Sequence, residues 1–145
     1  MKKAVNSSFG YLLAPLFGYV VAQSLKLLFI RGQKRSWKQF FYSGNMPSSH
    51  SAVVVALAAT ILFHEGISDI FAVAATFAMV TIYDALMARR SIGEQGSALL
   101  RLIEKSPFSK DPLPRVALGH TPLEVLAGSG VGIVVALVVA IFITK

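Results

Sequence analysis

The chain has 145 residues, a formal net charge of +7, 54% hydrophobic residues and only 14% charged ones, with a mean hydropathy of +0.64. Soluble domains are charged at about a quarter of their positions, so an ordinary soluble fold is excluded and one membrane-embedded domain over 1–145 is expected. No cysteine is present, which excludes disulfides, thiolate nucleophiles and Cys-ligated zinc.

Met1-Lys2-Lys3 precedes an apolar stretch from Phe9 to Ile30. That stretch is too long for a signal peptide, carries Lys26 and has no small-residue cleavage site after it, so it reads as a retained span. A loop with Arg31, Lys34, Arg35 and Lys38 follows. Pro47-Ser48-Ser49-His50 then opens a second apolar segment, Ser51 to Phe63. This segment reaches spanning length only if its ends lie at the membrane surface or in a protein-lined cavity. The third segment runs from Ile67 to Met87. From Arg89 to Lys105, Ile92, Leu99, Leu100, Leu102 and Ile103 alternate with Arg, Glu and Gln. That pattern predicts an amphipathic helix at the interface or packed under the bundle. Pro107, Pro112 and Pro114 mark an irregular loop. Gly119-His120-Thr121-Pro122 opens the last segment, which runs to Thr144. The predicted fold is all-α: a multi-pass bundle of about four spans plus one amphipathic helix.

Four spans place both basic loops on one side. The second of these holds Arg89, Arg90, Arg101, Lys105, Lys110 and Arg115, while the other side keeps Lys2, Lys3 and Lys145. The positive-inside rule assigns the basic side to the cytoplasm of a cell-membrane protein. The same topology brings His50, Asp84, Arg89 and His120 to that face, with Lys26 near it. Ionisable residues at membrane depth are costly and mark function. A helix N-terminus attracts anions, and two such termini bearing histidines beside arginines supply a nucleophile, a proton donor and charge neutralisation for phosphoryl transfer.

Each residue also has a structural reading. Ser48 or Ser49 can cap the second span. Thr121-Pro122-Leu123-Glu124 matches a capping box with Pro at the first helical position. Lys26 can snorkel to the interface, and Arg89 and Arg90 can anchor a span end. His64 lies at the opposite end of the second span. Gly128, Gly130 and Gly132 suggest close helix contact, and the Gly128–Gly132 spacing fits a helix dimer.

Three stretches resemble the divergent, small bacterial and plastid branch of the type 2 phosphatidic acid phosphatase and vanadium haloperoxidase superfamily. They are Ser43-Gly44-Asn45-Met46-Pro47-Ser48-Ser49-His50-Ser51-Ala52, then Tyr83-Asp84-Ala85 with Arg89-Arg90, Gly93 and Gln95, and finally Leu118-Gly119-His120-Thr121-Pro122 with Glu124-Val125 and Gly128. The resemblance implies His120 as the nucleophile that forms a phosphohistidine, Glu124 as the carboxylate that orients it, and His50 as the acid that protonates the leaving oxygen. It implies phosphate binding by Ser48 and Ser49 together with Arg115, Arg89 or Arg90. Arg115 stands five residues before His120, where the superfamily's spacing is six. Glu124 replaces the usual aspartate, Asn45 a glycine, and Met87-Ala88 a Gly-Val pair. Lys26, Lys34 and Arg35 are the candidates for the first-motif cation, although no Arg-Pro follows Lys26 at the family spacing. The superfamily core has six helices, and a homodimer would complete a pocket built from fewer.

The expected activity is hydrolysis of a lipid or prenyl phosphate or diphosphate, undecaprenyl diphosphate included, with no metal and no cofactor. With 14 basic and 7 acidic residues, cationic side chains and N–H donors are the natural way to stabilise the transition state. The expected partners are the lipid substrate and the bilayer, with no nucleic acid. Two other classes compete with this reading. Asp84-Ala85-Leu86-Met87-Ala88-Arg89 has the opening of a CDP-alcohol phosphotransferase motif but lacks the aspartates that would bind metal. A non-catalytic binder or transporter of phosphate-bearing lipids would use the same basic face without turnover.

Overall fold

A computed structural model describes residues 2–29, 46–107, 113, 116 and 119–142. Among these residues five helices follow in chain order: α1 Lys2–Phe29, α2 Ser49–Glu65, α3 Asp69–Leu86, α4 Ala88–Glu104 and α5 Pro122–Phe142. No strand occurs among the described residues. The chain is thus an all-α membrane bundle. Its apolar order matches the pattern of the sequence, with two differences at the ends: α1 begins upstream of Phe9, and α2 takes in both His50 and His64.

Local chemistry sets these ends. Ser48 caps α2, its side chain accepting from the Ser51 N–H, and Gly66 ends the helix at φ 66° while donating its N–H to the Leu62 carbonyl. That left-handed φ suits glycine and turns the chain sharply. Ser68 then caps α3, and Asp69 lies in its first turn, where a negative charge meets the positive end of the helix dipole. The helical path from Asp69 to Glu104 is nearly continuous and breaks only at Met87. The change there is chemical, because α3 is apolar whereas α4 carries Arg89, Arg90, Glu94, Arg101 and Glu104.

Among the described residues three stretches are long and apolar enough to cross a membrane: Ser8–Leu27, Asp69–Glu104 and Pro122–Phe142. In the second, the apolar part is α3. The shorter α2 has 17 residues, or about 25 Å of helix, somewhat less than a hydrocarbon core. It tolerates this because α1, α3 and α5 all pack against it. Large apolar side chains point outward, among them Leu12, Leu16, Val73, Phe77, Leu126 and Val134. The buried set is small-residue rich, including Ala14, Ala22, Ala52, Ala56, Ala74, Ala78 and Ala136. Such an inside-out distribution belongs in lipid, where association depends on close backbone approach more than on burying bulk. As predicted, α4 is amphipathic. It packs on α3, buries only Gly93 and exposes Ile92, Leu99 and Leu102.

The glycine spacing that suggested a dimer is used inside the chain. A Cβ at Gly128 would collide with the carbonyl of Ser48, and one at Gly132 would lie 2.6 Å from the carbonyl oxygen of Ala52. Gly128 and Gly132 therefore let α5 lie directly on α2, while Gly130 faces open space. Gly128→Val and Gly132→Val should each cost about 1–3 kcal/mol or more by overpacking, and Gly130→Val should be neutral. Thermal unfolding of the detergent-solubilised variants, followed by circular dichroism, checks this ordering.

Candidate active site

The site lies where the C-terminal ends of α1 and α3 meet the N-terminal ends of α2 and α5. Ser48 is completely buried and its polar groups are occupied. Its N–H donates to the Glu124 carbonyl at 2.9 Å, and its Oγ accepts from the Ser51 N–H at 3.4 Å and the Ser51 hydroxyl at 3.0 Å. Ser48 thus caps α2 and ties it to α5. Ser49 is placed differently. Its Oγ accepts a hydrogen bond from Lys26 Nζ at 3.3 Å, and Ser49 and Lys26 are both at most 5% exposed. Lys26 also lies within electrostatic reach of Glu124, so it is held among polar partners rather than stretched to the interface.

His120 immediately precedes the N-terminus of α5 and is 2% exposed. Its Nδ1 lies 3.1 Å from Glu124 Oε2. The same oxygen accepts the Thr121 N–H at 2.9 Å, and Thr121 Oγ1 accepts the Glu124 N–H at 3.3 Å. The capping box and the histidine–carboxylate pair are therefore one structure, so the capping role of Glu124 and its contact with His120 are compatible. An ionised carboxylate only accepts, so this contact suits the tautomer with its proton on Nδ1 and the lone pair on Nε2. The loop before α5 is docked by backbone contact. The His120 N–H donates to the Ala85 carbonyl at 3.3 Å, and a Cβ on Gly119 would collide with the backbone of Arg90. Gly119 is the residue that permits this approach, and it brings the central and last motifs together.

The rings of His50 and His120 have centroids 6.2 Å apart, inclined at 56°. His50 Nδ1 is buried with no hydrogen-bond partner, an arrangement that calls for a functional explanation. Arg89, His120, Lys26 and Asp84 all act on it electrostatically. A cavity of about 460 Å³ opens beside this group, with Lys26, Ser49, His50 and Arg89 at its charged end. Val53, Val54 and Phe77 supply its apolar wall. His120 does not line the cavity; it lies behind His50.

The arginines divide. Arg89 reaches the cavity while its Nε binds Asp84 Oδ2 at 2.7 Å. Arg90 turns away, its Nε 3.1 Å from Glu94 Oε1 and both side chains largely exposed. Arg115, Lys34 and Arg35 lie outside the described residues. Among those described, no three His, Cys, Asp or Glu side chains converge as a metal site. Tyr19, Gln23 and Thr81 also line the cavity and were missed by the sequence reading. Their signal was the spacing of Tyr19, Gln23 and Lys26, which puts three polar side chains on one face of an apolar helix.

The sequence model of the divergent PAP2 family matches residues 8–135. The uncharacterised membrane protein YuiD of Bacillus subtilis (strain 168) is 36% identical over 148 residues, covering 90% of this chain and 94% of that protein. No solved structure matches the chain. The chain belongs to the divergent PAP2 family, and it is a multi-pass membrane protein.

Thr121 separates cap chemistry from side-chain bulk. Thr121→Val removes the acceptor of the Glu124 N–H and should cost about 1 kcal/mol of stability, whereas Thr121→Ser should stay within a few tenths of wild type. Melting midpoints of the two variants in the same detergent provide the check.

Proposed function

We propose that this member of the divergent PAP2 family is a membrane phosphatase that hydrolyses a lipid or prenyl phosphate or diphosphate through a phosphohistidine. The observation that carries the reading is the buried His120, held at Nδ1 by Glu124 and adjacent to a second histidine whose Nδ1 is buried and unpartnered. A structural histidine needs neither a carboxylate clamp nor a second imidazole beside a cationic cavity.

The chemistry balances without a further reactant except water. The phosphate rests among Lys26, Ser49 and Arg89 at the charged end of the cavity. Asp84 fixes the Arg89 guanidinium through Nε and leaves its terminal N–H groups for the anion, the fork geometry that suits phosphate. Ser48 holds the α2 N-terminus in place. His120 Nε2, which must reach past His50 into the cavity, attacks phosphorus, the bond from phosphorus to the lipid oxygen breaks, and protonated His50 gives its proton to that oxygen. Glu124 stabilises the imidazolium character that develops on His120. Water then attacks the phosphohistidine, His50 takes its proton, and inorganic phosphate leaves. Removal from water strengthens each of these electrostatic contacts, which suits a site at span ends. By the distribution of basic residues, this face is the cytoplasmic one.

The position of His120 behind His50 favours a second reading, a binder or transporter of phosphate-bearing lipids in which the cavity holds the headgroup without turnover. Phosphate release by the purified full chain from phosphatidate, phosphatidylglycerol phosphate and undecaprenyl diphosphate, in EDTA, distinguishes the two. The phosphatase reading expects release that survives EDTA, falls at least about 1,000-fold in His120→Asn, and proceeds through an acid-labile phosphoenzyme in wild type. Lipid binding with no release from any substrate would establish the binder instead.

A further inference from the structure

By itself α3 is long enough to fill a bilayer, so α4 has to lie elsewhere. The 18 residues of α3 extend about 27 Å, close to a hydrocarbon core, whereas the 36 of Asp69–Glu104 would need about 54 Å. The break at Met87 therefore falls where the chain leaves the apolar layer. Beyond it, Ile92, Leu99 and Leu102 recur at intervals of seven and three, share one face of α4, and are 64%, 50% and 68% exposed. A neighbouring face is taken by the chain itself. A Cβ on Gly96 would lie 2.9 Å from the Val116 side chain, and one on Gly119 would collide with the backbone of Arg90. Among the described helices α4 packs only on α3, which leaves the apolar stripe without a partner. The charges beside that stripe point to what covers it. Arg89 is paired with Asp84 and Arg90 with Glu94. Arg101 and Lys105 stand one turn apart, both exposed, and among the described residues neither enters an ion pair, not even with Glu104 between them. An exposed Ile and Leu stripe bordered by uncommitted cations on long apolar stems suits a helix lying in a headgroup layer.

We propose that α4 is a membrane-surface helix that selects anionic lipid: Ile92, Leu99 and Leu102 enter the acyl boundary while Arg101 and Lys105 hold the phosphates of anionic headgroups. Charge complementarity favours this occupant over a second copy of the chain. Two copies meeting along the stripe would set like charges against each other in a chain of net charge +7, whereas an anionic surface neutralises them. This place is distinct from the cavity, whose cations are Lys26 and Arg89; Arg101 lies about 18 Å along α4 from Arg89. The inference therefore stands whether or not the protein is a phosphatase. It still bears on the site, because the segment resting on α4 at Gly96 and Arg90 leads directly to His120. A helix fixed at the surface holds that segment from outside.

The chain has no cysteine, so single cysteines in the full chain each take a probe at one place. Spin labels at Ile92→Cys, Leu99→Cys, Leu102→Cys and Glu94→Cys are read in vesicles of phosphatidylcholine mixed with phosphatidylglycerol. Oxygen should relax the first three more than a water-soluble nickel chelate does, and the order should reverse at Glu94→Cys. A fluorophore at Leu99→Cys is then quenched by doxyl-labelled phosphatidylglycerol or by doxyl-labelled phosphatidylcholine. Each surface cation is worth about fivefold in preference for an anionic lipid, so phosphatidylglycerol should be favoured about tenfold or more. Replacing Arg101→Gln and Lys105→Gln together should remove most of that preference. All these positions are exposed, so the substitutions leave the core contacts intact. Chelate access at all four labels, dipolar broadening between stripe labels of separate copies, equal quenching by the two lipids, or an undiminished preference in the double variant would overturn the proposal.

Discussion

Glu124 is the residue on which the site depends, because three separate constraints meet there. Its backbone carbonyl accepts the Ser48 N–H, which fixes the start of α2 against the start of α5. Its backbone N–H and its carboxylate complete the cap of α5 with Thr121. The carboxylate also holds His120. Cap, interhelical tie and the orientation of the His120 ring are thus a single hydrogen-bonded unit at the mouth of a low-dielectric bundle, where each bond is stronger than in water and each orphaned partner costs more.

That unit is useful only if the helices bearing it approach closely, and the small residues supply the approach. Gly128 lets α5 rest against the Ser48 carbonyl, and Gly119 lets the loop before α5 rest on the junction between α3 and α4. Both contacts lie within two turns of His120. Further along, Gly132 and Gly18 continue the same close packing around α2 at the level of Ala52 and Ala56. In a bilayer, where lipid is as apolar as the helix surface, such backbone proximity does what a bulky core does in a soluble protein. The pocket-forming geometry and the stability of the bundle therefore have a common origin, and a substitution that opens the α2–α5 contact also displaces the histidines.

Much of this was legible in the sequence because helix starts and apolar runs are local features. The order of segments, the amphipathic stretch after Arg89, the capping box at Thr121 and the convergence of His50, Asp84, Arg89 and His120 all follow from short windows and a charge count. What was not legible depends on which faces meet. The spacing of Gly128 and Gly132 is identical for a contact within the chain and one between chains, and only the position of α2 decides between them. Ser48 and Ser49 are equivalent on paper, yet one is consumed by the cap and the other faces Lys26. Arg89 and Arg90 are likewise adjacent, and the helix turn sends one to the cavity and the other to Glu94. Gln23 and Tyr19 belong to no motif, and beyond their shared helix face with Lys26 only the structure shows that they line the cavity.

The charge arrangement at the cavity explains why so few carboxylates suffice. Lys26 and Arg89 are the cations at its charged end, and each has a neighbour that limits its freedom without cancelling it from the side an anion would approach. Ser49 holds Lys26 through a neutral hydroxyl, while Asp84 engages Arg89 only at Nε. Two more acids in the cavity would neutralise the cations and raise the cost of bringing in a phosphate. Two fewer neighbours would leave flexible cations that must be ordered on binding, at an entropic cost of about 1–2 kcal/mol for each such side chain. The bundle instead presents cations whose geometry is already set, and preorganisation of this kind lowers the cost of holding an anion.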